Sequence, residues 1–221
     1  MRTSLPPVIA VVMALDAAAA AAPGEFSDRW QTLYPTPGQT PLEPAGGVTL
    51  VGPHEGHPFY LGSYAPGGEW RVDEGLLVPA GADAMTLGTA QSFEIEGVAD
   101  ASGTGGLIIL VGYDGADGGR GFGLWNATMR TSGSPWELFR FEGGVAVEDS
   151  AVELPMLQWK GQQPFRLSVR DAKLTLQIGP QVVVSDHPLD GYEGGQIILG
   201  TYDTKYGPRR LKIKALRARS L

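Results

Sequence analysis

The chain is predicted to be an all-β sandwich or barrel, on three observations. From Pro164 onward (PFRLSVRDAKLTLQIGPQVVV) apolar and polar residues alternate in short runs. Phe165, Leu167 and Val169 fall on one side and Arg166, Ser168 and Arg170 on the other, and Leu174, Leu176 and Ile178 resume the pattern after an Asp171-Ala172 turn. A period of two, rich in β-branched residues, marks strands with one buried face. Second, the 32 glycines and 17 prolines sit between apolar runs, which makes them turn signals rather than a disordered composition. Third, no amphipathic helix longer than two turns and no internal repeat interrupts a series of about a dozen short runs separated by turns.

Taken in order, residues 1–22 are expected to be a cleaved signal peptide. Arg2 supplies a positive start, Leu5 to Leu15 an apolar stretch broken by Pro6 and Pro7, and Ala17 to Ala22 the small residues that suit cleavage. The stretch is short for a membrane span and ends at Asp16. A retained anchor is the alternative; otherwise the mature chain is expected to be secreted or periplasmic, with no integral membrane association. Residues 23–46, dense in Pro and Gly, read as an irregular lead-in or linker, with Trp30, Leu33 and Tyr34 available to pin it to the domain. Strand-like runs follow at Val48-Val51, Phe59-Leu61, Trp70-Val72, Leu76-Val78, Ala84-Leu87 and Phe93-Val98. Leu107 to Val111 is continuously apolar, as expected of a strand covered on both faces. Runs at Phe122-Arg130, Trp136-Phe141, Val145-Val147 and Val152-Trp159 lead into the closing strands, and residues 47–221 form one domain large enough to bury a substantial core.

There is no cysteine, which excludes a lipoprotein anchor, thiol catalysis and cysteine metal sites. The net charge of −7 is unevenly spread: residues 205–221 hold seven of the 17 basic residues and none of the 24 acidic ones. So acidic a body argues against nucleic acid as a partner.

Two stretches together carry a family resemblance. EWRVDEGLLVPAGADAMTLGTAQSFEIEGVAD has the shape Trp-x-Val-x-x-Gly-x-Leu, then Leu-x-Thr, then Phe-x-Ile. QQPFRLSVRDAKLTLQIGPQVVV, GGQIILGTY and RRLKIKALRAR place a Phe-Arg-Leu-x-Val strand before a hairpin, a Gly-x-Ile-x-Leu-Gly strand and a last strand. The order and spacing, over roughly residues 45–221, resemble the concanavalin A-like lectin/glucanase jelly rolls, nearest to the 3-keto-disaccharide hydrolase or laminin-G-like domains of secreted bacterial proteins. The resemblance implies a two-sheet antiparallel jelly-roll β-sandwich whose ligands meet a concave face and its rim loops. Laminarinase-type members carry Glu-x-Asp-x-x-Glu on one strand, and this chain has no such motif. Glu94-Ile95-Glu96 puts two carboxylates on one strand face, as an acid and a nucleophile would need, or else marks a solvated strand face.

The candidate sites each carry two readings. YDGADGGRGFG brings Asp114 and Asp117 close together on a turn, a partial oxygen set for calcium or ordinary Asp-Gly turn chemistry; no other cofactor is expected. In FGLWNATMR, Trp125 and Met129 are expected in the core, so that Asn126, Thr128 and Arg130 line a ligand face or simply an exposed sheet. Trp136 after a loop is a sugar platform or half-buried packing. Tyr202, Asp203, Lys205, Tyr206, Arg209 and Arg210 concentrate in one connection, either a binding loop or a hairpin whose tyrosines pack on its base. The basic residues of the last run shift phase between Lys214 and Arg217, predicting a β-bulge near Lys214-Ala215. Their charge suits an exposed edge strand or an anionic-glycan surface. His54 and His57 have no completing ligands nearby, and no catalytic triad, nucleophile elbow or phosphate loop is present.

Three functions remain open at this level: a module binding carbohydrate or another envelope polymer, a glycoside-processing hydrolase implied by the resemblance, and a scaffold. Two or more convergent carboxylates or histidines in a concave-face cleft favour the hydrolase, aromatics and amides without carboxylates favour binding, and a face filled by side chains favours the scaffold.

Overall fold

The computed structural model describes residues 24–35, 48–51, 58–61, 70–79, 84–100, 107–115, 119–126, 134–143, 145–147, 150–157, 159, 161–201 and 211–221. They form β1 (Gln31–Tyr34), β2 (Val48–Val51), β3 (Pro58–Leu61), β4 (Trp70–Asp73), β5 (Leu76–Pro79), β6 (Ala84–Ala90), β7 (Phe93–Asp100), β8 (Leu107–Tyr113) and β9 (Arg120–Asn126). The chain continues through β10 (Ser134–Glu142), β11 (Val145–Ala146), β12 (Val152–Leu157), β13 (Gln162–Arg170), β14 (Lys173–Ile178), β15 (Gln181–Pro188), β16 (Gly195–Thr201) and β17 (Lys212–Ser220), with no helix among the described residues.

The strands make two sheets. The eight-stranded sheet runs β15-β14-β13-β7-β17-β5-β4, with β1 added on β17; the nine-stranded sheet runs β3-β2-β11-β10-β9-β8-β16-β6, with β12 added on β10. Among the described residues the strands pair antiparallel apart from one β2–β11 contact, and Glu25 adds an isolated parallel bridge to Thr89. The two inner faces bury a common core: Phe93, Ile95, Leu167, Val169, Leu174 and Leu216 from the smaller sheet meet Met85, Ile109, Leu124, Trp136, Leu138 and Ile197 from the larger. The all-β sandwich expected from the alternation is therefore the observed architecture, and it is a jelly roll.

The closing run shows how local pattern becomes fold. Phe165, Leu167 and Val169 are buried on β13 and pair across to Ile178, Leu176 and Leu174 of β14. The connecting Asp171 and Ala172 both take positive φ, 49° and 53°, as a two-residue hairpin whose twist matches its strands requires. Leu211, just before β17, and Ile213 on it face inward, the register slips between Ile213 and Ala215, and Leu216 and Ala218 resume the inward face. That slip is the bulge expected near Lys214-Ala215.

β17 itself departs from expectation. It is no edge strand: it lies between β7 and β5, paired with β7 from Lys212 to Ser220 on both sides of that slip. Its arginines are therefore not edge protection, and their partners are given below.

The start of the chain departs as well. Residues 24–35 were expected in a lead-in, yet they belong to the sandwich. Gln31, Thr32 and Tyr34 pair with Ala218, Arg217 and Leu216. Phe26 is buried against Phe93, edge to face at 6.5 Å, above Gly88, where a side chain would collide with its ring. The backbone of Ser220 also donates to Ser27 O at 2.7 Å. Phe26→Ala should consequently cost about 3 kcal/mol, the low end for a buried Phe, read as a lowered urea midpoint; a dispensable linker would show no change.

Candidate functional site

The outer face of the eight-stranded sheet carries a charge lattice. On β7, Phe93 and Ile95 point into the core, so Glu94 and Glu96 point out. β13 and β17 flank β7, with Arg166 opposite Glu96, Arg217 opposite Glu96 and Arg219 opposite Glu94. Facing residues on one side of a sheet lie within reach of long side chains, and here each glutamate is gripped from both sides. Glu96 accepts from Arg166 through Oε1 and from Arg217 through Oε2, the Arg217 Nε at 3.0 Å. Glu94 accepts from Arg219 Nε at 3.0 Å and lies 3.2 Å from Arg166 Nε. Arg166 thus bridges the two acids.

Trp30 lies over the arginines, 4.3 Å from the Arg217 guanidinium and 4.6 Å from that of Arg219. Stacking on an indole face leaves the in-plane N–H donors of a guanidinium available.

This arrangement overturns both expectations for Glu94-Ile95-Glu96. The carboxylates are not a solvated face: the Glu94 and Glu96 side chains are 10% and 18% exposed. Nor is Glu96 set up as a general acid. Burial alone would raise the Glu96 pKa, but hydrogen bonds from Arg217 and Arg166 and their charges outweigh it and hold the carboxyl below its ordinary value. A general acid needs the opposite shift.

Beside the lattice runs a groove of about 660 Å³. β1 forms one wall with Thr32, Tyr34 and Pro35; Val98, Pro164 and Ala215 give an apolar surface; Glu96, Arg166, Gln177 and Arg217 supply polar groups. The Tyr34 hydroxyl donates to Gly75 O at 2.9 Å, which ties this wall to the β4–β5 turn. Gly97 lies under the groove because a side chain there would come within 2.8 Å of Ala215 O and collide with the Phe165 ring.

The outer face of the nine-stranded sheet is different. Ile108, Leu110, Trp125, Phe139, Phe141 and Ile198 form a second buried apolar cluster. Trp125 Nε1 donates to Glu137 Oε2 at 2.8 Å, and Glu137, itself buried, is paired in register with Glu153 of β12. The row Trp125–Glu137–Glu153 leaves no local signal in the sequence because its members are joined only by strand pairing.

Several expected site residues change place. Trp136 is no sugar platform; it is 1% exposed in the inter-sheet core. On β9 the faces are exchanged: Phe122 and Leu124 enter the inter-sheet core, while Trp125 lies on the other side. Asn126 pairs through its backbone with Trp136 in the β9–β10 register. Asp114 is engaged by Arg120, whose backbone N–H donates to Asp114 Oδ1 at 3.2 Å and whose Nη2 lies 2.6 Å from Glu193. Among the described residues no group of three or more potential ligands could hold a metal ion. Asp117, Thr128, Met129, Arg130, Tyr202, Asp203, Lys205, Tyr206, Arg209, Arg210, His54 and His57 lie outside the described residues.

The lattice has a pH signature. A carboxyl with a lowered folded-state pKa stabilises the fold above its ordinary value, and that contribution is lost as pH falls through the folded-state value. Glu96→Gln should therefore be less stable than the parent at pH 7, and the gap should narrow below pH 4.5, the ordinary value. Urea midpoints measured across that range decide this; a gap independent of pH would deny Glu96 the assigned pairing.

No family model matches the chain, and no curated protein matches it. Solved structures do. The carbohydrate binding module CBM66 from Bacillus subtilis superposes with a TM-score of 0.50 at 11% identity, over 90% of this chain and 99% of that one. A Bacillus licheniformis β-glucanase gives 0.50 at 8% identity, over 88% and 99%. A legume lectin-like domain from Entamoeba histolytica gives 0.50 at 10% identity, over 70% and 88%. At such identities the likeness speaks to fold alone: the chain shares the two-sheet concanavalin A-like jelly-roll fold of these structures.

Proposed function

We propose that the chain is a non-catalytic module that binds carbohydrate through the outer face of its eight-stranded sheet. The observation that carries this reading is the groove. Its volume of about 660 Å³ lies within the range typical of ligand sites, roughly 300–1,000 Å³. Its lining sets the flat apolar surface of Pro35, Val98 and Pro164 beside the amide of Gln177, the hydroxyl of Thr32 and two guanidinium groups. Sugar rings present the same combination, with C–H faces that pack on apolar surface and hydroxyls that pair with fixed planar donors. Glu96, the acid in the groove, is paired with Arg166 and Arg217, which hold its carboxyl below its ordinary value and suit it to charge pairing rather than to proton donation. The structural similarity to a carbohydrate binding module agrees with this reading, and the leader-like start of the chain supports action outside the cytoplasm on an envelope or extracellular polymer.

A second reading, hydrolysis of a glycosidic bond, is favoured by one observation. Glu137 and Glu153 face each other across β10 and β12, one buried and one exposed. Facing side chains start about 5 Å apart, and two carboxylates in unlike surroundings at about 5–5.5 Å are what a retaining mechanism requires. The buried apolar cluster beside Glu137 weighs against substrate access on that face.

The two readings separate by experiment. The full chain should be retained on one or more polysaccharides of a broad panel, and Val98→Trp, which fills the groove from an outward position, should weaken retention tenfold or more with an unchanged circular dichroism spectrum. Retention on none of them would sink the binding reading. Release of reducing ends that is lost in Glu137→Gln or Glu153→Gln and kept in Val98→Trp would establish the hydrolase instead.

A further inference from the structure

The groove has a charge preference that its volume does not reveal. Resting on the carbohydrate reading above, we propose that its ligand is an acidic sugar polymer whose carboxylate, of the uronic-acid kind, is taken by the free guanidinium edges of Arg166 and Arg217.

The charged residues lining the groove are Glu96, Arg166 and Arg217, one acid against two bases. They are not equally accessible. The Glu96 side chain is 18% exposed, whereas those of Arg166 and Arg217 are 55% and 52% exposed. The acid lies below and the cations above, so a ligand entering the groove meets positive charge first.

The donors are also only partly used. Arg166 reaches the glutamates through Nε and Nη2, and Arg217 reaches Glu96 through the same two atoms. A guanidinium has five N–H donors. In both arginines Nη1 makes no hydrogen bond to any described residue. Glu96 fixes one edge of each guanidinium, and Trp30 covers a face of Arg217. Held in this way, each arginine loses little freedom on presenting its remaining edge.

A guanidinium edge offers parallel N–H bonds that match a planar carboxylate, and such charge-assisted pairs are the strong ones. The rest of the lining suits the sugar that would bear the carboxylate: Gln177 stands directly opposite Arg166 in the β13–β14 register, and Pro35 and Val98 provide apolar contact for a ring face. The chain as a whole carries a charge of −7, so selection for an acidic ligand comes from this local geometry rather than from a long-range field.

Gln177 makes the proposal testable without disturbing the lattice, because its side chain is exposed and donates only to Gly179 O, at 3.1 Å. The full chain is titrated with polygalacturonate, fully methyl-esterified polygalacturonate, dextran and dextran sulfate. Polygalacturonate should bind at least tenfold more tightly than its methyl ester. Gln177→Glu, which places a competing carboxylate against Arg166, should cost tenfold or more, and Gln177→Lys, which loses the same amide but adds a cation, should lose several-fold less affinity than Gln177→Glu. Equal affinity for the acid and its ester, or indifference to Gln177→Glu, overturns the acidic-sugar assignment and leaves carbohydrate binding standing. Dextran sulfate bound as tightly as polygalacturonate overturns the choice of carboxylate. Binding to none of these polymers or the wider panel removes both readings together.

Discussion

The rest of the structure depends on the seam where β1 and the strands around β17 meet. β17 lies inside the smaller sheet, paired along its length with β7, and its final residues also pair with β1. One strand therefore does three jobs. Its inward residues, Ile213, Leu216 and Ala218, complete the core; its backbone holds the start of the chain; its outward arginines close the lattice over Glu94 and Glu96. Closing a sheet with pairings so far apart in sequence orders the chain over a long loop, an entropic cost that local contacts cannot offset. Burial of the inner face is the term large enough to do so.

The lattice is a different kind of interaction. Exposed ion pairs are worth little singly, because each gains modest Coulomb energy and orders two long side chains. Here Arg166 serves two acids and Glu96 serves two arginines, so each ordered side chain makes more than one pair. The acids are also largely removed from water, and removing one partner would leave a buried charge without compensation. The consequence is rigidity on an outer sheet face that would otherwise carry mobile side chains, and rigidity is what a binding surface needs.

How much of this was legible in the sequence follows from which interactions are local. The hairpin from Phe165 to Ile178 could be read because alternation, turn and register all lie within fifteen or so residues and agree. The bulge in β17 was legible for the same reason, as a change of phase along one strand. Position within a sheet was not. Nothing in LKIKALRARS distinguishes an edge strand from an interior one when the partners of Arg217 and Arg219 lie 121 and 125 residues away. β9 shows a second limit. Alternation assigns faces only when one face is wet, and Phe122, Leu124 and Trp125 are all buried. With both sides apolar, the phase that sent Trp125 to the inter-sheet core had no physical support. Trp136 misled for a related reason: proximity to a loop says nothing about which way a strand residue points.

The same distinction explains where the groove lies. A regular outer sheet face is nearly flat, and a concavity needs an interruption. Three coincide here: the register slip of β17 at Ile213–Ala215, Pro164 in β13 directly opposite Val98, and the wall raised by β1 as it leaves β17 near Tyr34. A bulge bends its strand and twists the local sheet, and proline removes a backbone donor and so loosens the ladder. The arginines then sit at the margin of the depression because they alternate outward on strands that flank it. The irregularities make the shape and the regular pattern supplies the charge, so a groove rimmed by guanidinium groups arises from features that each serve the fold.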